Sequence, residues 1–473
     1  MIPSILDAFQ AISSIPRRSG DEARVRAWLT GWAGQRGFTA QSDAVGNLLI
    51  RVPASPGNEA APSVALQGHL DMVCEKTPDS AHDFARDPIH LVREGEWLHA
   101  RGTTLGADNG IAIAMAMVAA TDTELKRPAL ELLFTVDEET GLTGATALQS
   151  GWLESTRLIN IDSEDEGVIT VGCAGGVETM LYLPVERQAS AGVPLRLELG
   201  GLSGGHSGVD IHRGRGNAIQ LLARALAALK PLGALVADLA GGSAHNAIPR
   251  DASALVTLPE SQVPAARAAI AALGATFLAE LQSTDPRLQA RLVDAGGVAE
   301  TLTERSSAAV IDFLLAVPHG VAAMSTAVPG LVETSNNLAR VSLEGAELAV
   351  QTSQRSSVVS RLGAHTQRIE AVARLAGGRA VSGDGYPPWQ PDMASPLLAR
   401  TRDLYRRLFE RDMVVEIIHA GLECGIIGAR YPKMDMISIG PTIRDPHCPD
   451  ERLHVPTVGA VWDLLAALLA ELC

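Results

Sequence analysis

Five short polar motifs stand at or just beyond apolar, strand-like runs. They are His69-Leu70-Asp71, Asp108 within Gly106-Ala107-Asp108-Asn109-Gly110, the pair Glu138-Glu139 after Asp137, Asp162, and a late His447-Cys448-Pro449-Asp450-Glu451. Carboxylate oxygens mixed with imidazole nitrogens suit borderline and hard cations. Ordinary packing does not favour such groups beside apolar strands, because buried charge is costly unless it is paired or bound to metal. Together the motifs have the pattern of a two-metal hydrolytic centre, in which cations activate a water and a spare carboxylate moves its proton.

Each motif also has a plainer reading when taken alone. His69 and Asp71, two apart in a strand, share a face, so the carboxylate can orient the ring; they also read as a surface pair at a strand end. Asp108 and Asn109 precede an apolar helix and could cap it. Asp137-Glu138-Glu139 could be a solvated acidic loop, and Asp162 the start of the turn Ser163-Glu164-Asp165-Glu166-Gly167. His447 lies in a loop, with His454 as a competing candidate. The combination decides: open α/β sheets place their sites at the carboxyl ends of strands, where these acids cluster. Two dications would be balanced by Asp108, Glu139, Asp162 and one hydroxide, with His69 and His447 neutral, which makes the cluster tolerable in a partly buried cleft.

These side chains need a scaffold, and strand and helix patterns alternate through residue 170. Helices are predicted at 3–15, 21–36 and 110–120, with strands in 45–52, 63–73, 129–139 and 157–164. The pattern changes near Gly175 into strand, helix (about 216–230), strand, strand and helix (about 262–281), with a later strand and a helix at 360–376. A Gly- and Pro-rich linker spans 382–392. A helix at 396–410, two strands and a last helix at about 455–472 then return to the first style. The expected fold is α/β: a mixed, mostly parallel sheet flanked by helices, formed by 1–175 and 383–473 and interrupted by an inserted α+β domain, 176–382.

The chain has 473 residues, more than one ordinary core accommodates. Its net charge of −15 opposes binding to phosphate backbones or anionic membrane surfaces, so neither nucleic acid nor membrane is expected as a partner. Only 4% of residues are aromatic, too few for base-stacking platforms. No unbroken run of 18 apolar residues occurs, and the N-terminus lacks the basic segment of a secretory signal. Five scattered cysteines with no CxxC pair point to free thiols and a cytoplasmic location. The stretch 200–208 is glycine-rich but lacks the lysine and spacing of a phosphate loop.

The chain resembles the M20 family of zinc peptidases, in its aminoacyl-histidine dipeptidase branch, over essentially its whole length. The resemblance rests on QGHLDMV, FARDPI, RGTTLGADNGI, DEETGL, IDSEDEG, GCAGG, GGHSG, NAIPR, VETSNN, HAGLECG, SIGPTI and PHCPDE. It implies a catalytic domain holding two zinc ions, with cobalt or manganese as possible substitutes, and a lid domain. It implies that Asp108 bridges the metals, that His69, Glu139, Asp162 and His447 complete the ligands, that Glu138 is the general base and that Asp71 orients His69. It further implies a cis peptide at Asp108–Asn109, His206 as oxyanion stabiliser, and Asn246, Arg355 and Glu423 as substrate contacts. A short peptide is the implied substrate, Xaa-His dipeptides or a broader set, and a homodimer is expected, with the lid able to carry the interface. The sequence departs from close relatives at Cys448, where they tend to carry serine. Competing readings are a deacylase of N-acyl amino acids and a non-catalytic metal- or peptide-binding protein; the spare carboxylate of Glu138 argues against the last.

Overall fold

The computed structural model describes residues 1–326, 328 and 330–473. The chain divides into two compact units, Met1–Cys173 with Pro391–Ile417 and Leu422–Cys473, and Ala174–Gln390 with Ile418–Gly421.

The first unit is built on a mixed eight-stranded sheet. Its order is Thr39–Ser42, Leu48–Val52, Leu130–Thr135, Val64–His69, Arg157–Asn160, Asp435–Ser438, Val168–Cys173 and Val414–Ile418. The four strands from Leu130–Thr135 to Asp435–Ser438 run parallel. Parallel strands are covered on both faces and therefore read as continuous apolar runs. Every residue of Val64–His69 and Leu130–Thr135 is buried. The helix Ala107–Thr121 is apolar nearly all round because it packs between the strand Val64–His69 and the N-terminal helix Ile2–Ser13. The last helix, Val455–Glu471, packs against Pro396–Phe409 and Ile2–Ser13. The mixed, mostly parallel α/β sheet expected from the sequence is present.

The second unit contains an antiparallel sheet in the order Gln289–Asp294, Val193–Gly200, Ala252–Leu258, Leu235–Gly241, Val332–Glu344, Glu347–Ser356, Gly175–Pro184 and Arg379–Ser382. Alternate residues such as Leu195, Leu197 and Leu199 point inward, onto Ile219, Leu222 and Leu226 of the helix Ala218–Leu229. Asn217 caps that helix by accepting the backbone N–H groups of Ile219 and Gln220.

Local structure differs from expectation at several places. The strand before Glu138 stops at Thr135, and Glu138–Gly141 is one helical turn entered through Asp137 in the left-handed region, φ 52°. The helix Glu304–Ala316 and the strand Val332–Glu344 are additional. The helix Glu260–Leu281 is long and apolar enough to cross a membrane by length and composition alone. It lies against the strand Gln289–Asp294 instead, where Arg267 pairs with Asp294 at 2.6 Å, and its Glu280 pairs with Arg224 at 2.7 Å.

Candidate metal centre

Three adjacent parallel strands end together, and the chain just beyond each end supplies the polar groups. His69 closes Val64–His69, Glu138 and Glu139 follow Leu130–Thr135, and Asp162 follows Arg157–Asn160. Asp108 enters from the start of the helix Ala107–Thr121, and His447 from the loop before the strand Arg452–His454.

Asp108 is central. Its Oδ1 lies 3.0 Å from His69 Nε2, and its Oδ2 lies 3.1 Å from His447 Nε2. Asp162 Oδ1 is 3.5 Å from His69 Nε2, and Glu139 Oε2 is 3.2 Å from His447 Nε2. Three overlapping donor sets result, His69–Asp108–Asp162, His69–Glu138–Glu139 and Asp108–Glu139–His447, each with its ligand atoms within 4.8 Å of one another. The first and the last share Asp108, whose Oδ1 faces His69 and whose Oδ2 faces His447. The plainer reading of Asp108 as a helix cap does not hold, since Gly106 occupies the cap position and no side chain caps the helix. His454 turns away, to Glu96 at 3.5 Å and the Trp97 ring at 4.8 Å.

The donors are held by a network of their own. Asp71 Oδ1 is 3.3 Å from His69 Nδ1, and its carboxylate accepts the Ser19 hydroxyl and the backbone N–H groups of Glu138 and Glu139. One carboxylate thus fixes the His69 ring and the turn that presents both glutamates. Asn109, joined to Asp108 by a cis peptide, accepts the His69 N–H through Oδ1 at 3.2 Å and donates from Nδ2 to Asp162 Oδ1 at 2.6 Å. Gly68 leaves room for this: a Cβ there would sit 2.3 Å from Asn109 Oδ1. Glu451, 2% exposed, accepts four successive N–H groups, from Leu105 to Asp108, at 2.7–3.3 Å. Buried Arg17 donates to the carbonyls of Leu70, Asp71 and Gly106, clamping the His69 and Asp108 segments together. The sequence gives no hint of the roles of Arg17 and Glu451, because both work on main-chain groups far away in the chain, and it offers Asn109 only as a helix cap, which it is not.

Electrostatics follow from burial and mutual charge. Burial and the neighbouring Asp108 and Glu139 push the Asp162 carboxyl up to about 6, against the pull of His69. Burial, with Asp162, Glu423 and Glu139 nearby, raises Glu138 well above the usual carboxylate range. Burial opposes ionisation of Asp108 and Asp71 too, but the histidines win: Asp108 stays far below its ordinary value, and Asp71 is held down to about 2. Hydrogen bonds to the Asp108 and Glu139 carboxylates raise the His447 ring to about 11. Four carboxyls and two imidazoles in one cluster, with Glu139 Oε1 buried and without a partner, are a donor set that fits a pair of dications.

Glu423 begins the helix Glu423–Arg430, fully buried, with Oε2 accepting from Gln67 Nε2 at 2.6 Å and Thr135 Oγ1 at 2.7 Å. Gln67 in turn accepts from Asn160 at 2.6 Å, so a polar chain ties together the same three strands. Burial raises the Glu423 carboxyl to about 7.

The remaining sequence candidates belong to the second unit. His206 Nδ1 accepts the backbone N–H groups of Gly208 and Val209, which leaves the proton of a neutral ring on Nε2 as a donor. Asn246 is exposed, and its carbonyl accepts the Ser207 N–H at 2.7 Å. Arg355 is 6% exposed and donates to the Tyr386 hydroxyl at 2.8 Å, while its Nε has no partner. Both Arg355 and Tyr386 line a cavity of 290 Å³.

Residues 65–471 match peptidase family M20/M25/M40. The sequence is 42% identical to the cytosol non-specific dipeptidase of Escherichia coli (strain K12), over 98% of this chain and 97% of that protein. The aminoacylhistidine dipeptidase of Vibrio alginolyticus superposes with a TM-score of 0.90 at 39% identity, covering 99% of this chain and 96% of that one. The aminopeptidase PepT of Bacillus cereus shares the fold, with a TM-score of 0.59 at 15% identity over 100% of this chain and 99% of its own.

Proposed function

This chain belongs to peptidase family M20/M25/M40 and is a hydrolase of the metallopeptidase kind, and from that premise we propose that it cleaves the peptide bond of dipeptides, Xaa-His or a broader set. The observation that carries the reading is the Asp108 carboxylate, which faces His69 with one oxygen and His447 with the other, with Glu138 a further acid within 4.8 Å of His69 and Glu139.

His69, Asp108, Glu139, Asp162 and His447 would hold two zinc ions, and cobalt or manganese suits the same donors. When bound, the metals supply the positive charge that acidifies a water and polarises the peptide carbonyl. Glu138 accepts the proton of the attacking water and returns it to the leaving amine; burial, which raises its pKa, favours the protonated form it takes between the two steps. His206 donates from Nε2 to the developing oxyanion. Asp71 holds the His69 ring and the Glu138–Glu139 turn in register. In this reading the second unit acts as a lid: Arg355 takes the peptide carboxylate, Asn246 contacts the substrate, and Glu423 lies beneath the strand ends near the amine side. The same reading includes a cytoplasmic enzyme, consistent with five free cysteines, and a homodimer.

The test pairs metal stoichiometry with a dipeptide panel. The expected result is two metals per chain and hydrolysis of free dipeptides but not of their N-acylated or amidated forms. Hydrolysis confined to N-acyl amino acids would overturn it.

A further inference from the structure

The second unit carries a small cavity with a guanidinium and a carboxylate in its wall. The strands Gly175–Pro184 and Glu347–Ser356 pair antiparallel, with Gly176 opposite Arg355 and Glu178 opposite Ser353. Residues directly opposite share a face, so Arg355 and Glu178 sit diagonally on one side of the sheet. The 290 Å³ cavity opens over them, with His245 and Tyr386 also in its wall. That volume is at the small end for ligand pockets and suits a single amino-acid residue.

The guanidinium and the carboxylate in this wall do not neutralise each other. Arg355 donates to Tyr386. Glu178 accepts from Gln351 Nε2 at 2.9 Å and faces His245 Nε2 at 3.3 Å. Opposite charges held apart on one wall fit a ligand that carries both, a carboxylate for Arg355 and a nitrogen donor for Glu178. A C-terminal histidine or lysine residue is such a ligand. An imidazole can reach this carboxylate, since the half-exposed His245 ring lies with Nε2 3.3 Å from Glu178 Oε1.

We infer that Glu178 reads the side chain of the substrate's C-terminal residue and selects imidazole or ammonium groups there, while Arg355 holds that residue's carboxylate. This rests on the dipeptidase reading above and adds the residue that sets the preference. Glu178 is 45% exposed, so its contribution is modest and its replacement leaves the core intact.

The experiment compares kcat/KM on alanyl-histidine, alanyl-lysine, alanyl-leucine and alanyl-aspartate for the metal-loaded enzyme, Glu178→Gln and Glu178→Lys. Glu178→Gln is expected to lose about fivefold on the histidine and lysine peptides through KM, with alanyl-leucine unchanged. Glu178→Lys is expected to shift the preference toward alanyl-aspartate. An unchanged ratio between peptides, or a loss shared equally by alanyl-leucine, would overturn the inference while leaving the dipeptidase reading intact. Failure of the unaltered enzyme on all four peptides would overturn both.

Discussion

Glu451 holds Asp108 by its backbone and not by its side chain: its carboxylate accepts the Asp108 N–H at 3.3 Å together with the three N–H groups before it. The segment is thereby fixed while both Asp108 oxygens stay available to His69 and His447. Glu451→Gln keeps the shape but sets an NH₂ group against backbone donors. Metal affinity should fall about 10- to 100-fold, as for other groups that support ligands. Competition against a chelator, monitored as residual bound metal, checks this; unchanged retention would contradict it.

Glu138 and Glu139 are neighbours on one turn with different expected roles. Glu138→Gln should lower kcat by about 10²- to 10⁴-fold with two metals still bound. Glu139→Gln should lose metal. Steady-state kinetics and metal analysis on the same samples separate the two, and peptide hydrolysis retained in Glu138→Gln would defeat the general-base role.

Asp71 serves two masters, the His69 ring and the Glu138–Glu139 turn. Asp71→Asn should therefore reduce both metal affinity and kcat, each by about tenfold or more. A loss of metal affinity alone, with kcat fully restored at saturating zinc, would show that the turn does not depend on it.

Gly176 lets the Tyr386 ring pack flat on the strand, since a Cβ there would lie 2.7 Å from the ring atoms. Gly176→Ala should push Tyr386 off Arg355 and raise KM for dipeptides several-fold, on the order of 1 kcal/mol, without altering metal content. KM values across a dipeptide series check it.

His419 is 7% exposed and bonds Ser335 at 2.7 Å. Burial, with the charges of Arg355, His206 and His212 nearby, holds its ring down to about 3. The unfolded chain, with an ordinary imidazole near 6.5, takes the proton first. Stability is thus complete above about pH 6.5 and falls as the pH drops from there toward 3, where the folded ring also protonates. His419→Gln should flatten this dependence by roughly 2–4 kcal/mol between pH 7 and 3.5. Urea midpoints of both proteins at those pH values provide the comparison.

The parallel strands were legible because burial on both faces leaves an unbroken apolar run, and the acids at their ends stood out against it. The convergence of His69, Glu139 and Asp162 follows from those strand ends lying side by side, while Asp108 joins them from a helix start and His447 from a loop. The strand Val332–Glu344 was not legible, because its buried residues include Thr334, Ser335, Asn336 and Asn337, whose polar groups are bonded across the sheet and into nearby loops. Nor were Arg17 and Glu451: their partners are main-chain groups between 53 and 346 positions away, and main-chain groups leave no trace in residue type.

His447 and Glu451 come far later in the chain than the groups they meet, the Asp108 and Glu139 carboxylates and the backbone of Leu105 to Asp108. On the ribosome the nascent polypeptide therefore carries the donor set His69–Asp108–Asp162 through most of translation, while the set Asp108–Glu139–His447 still lacks its imidazole. In the proposed two-metal reading, a product terminated before His447 would keep one donor set and lack the other.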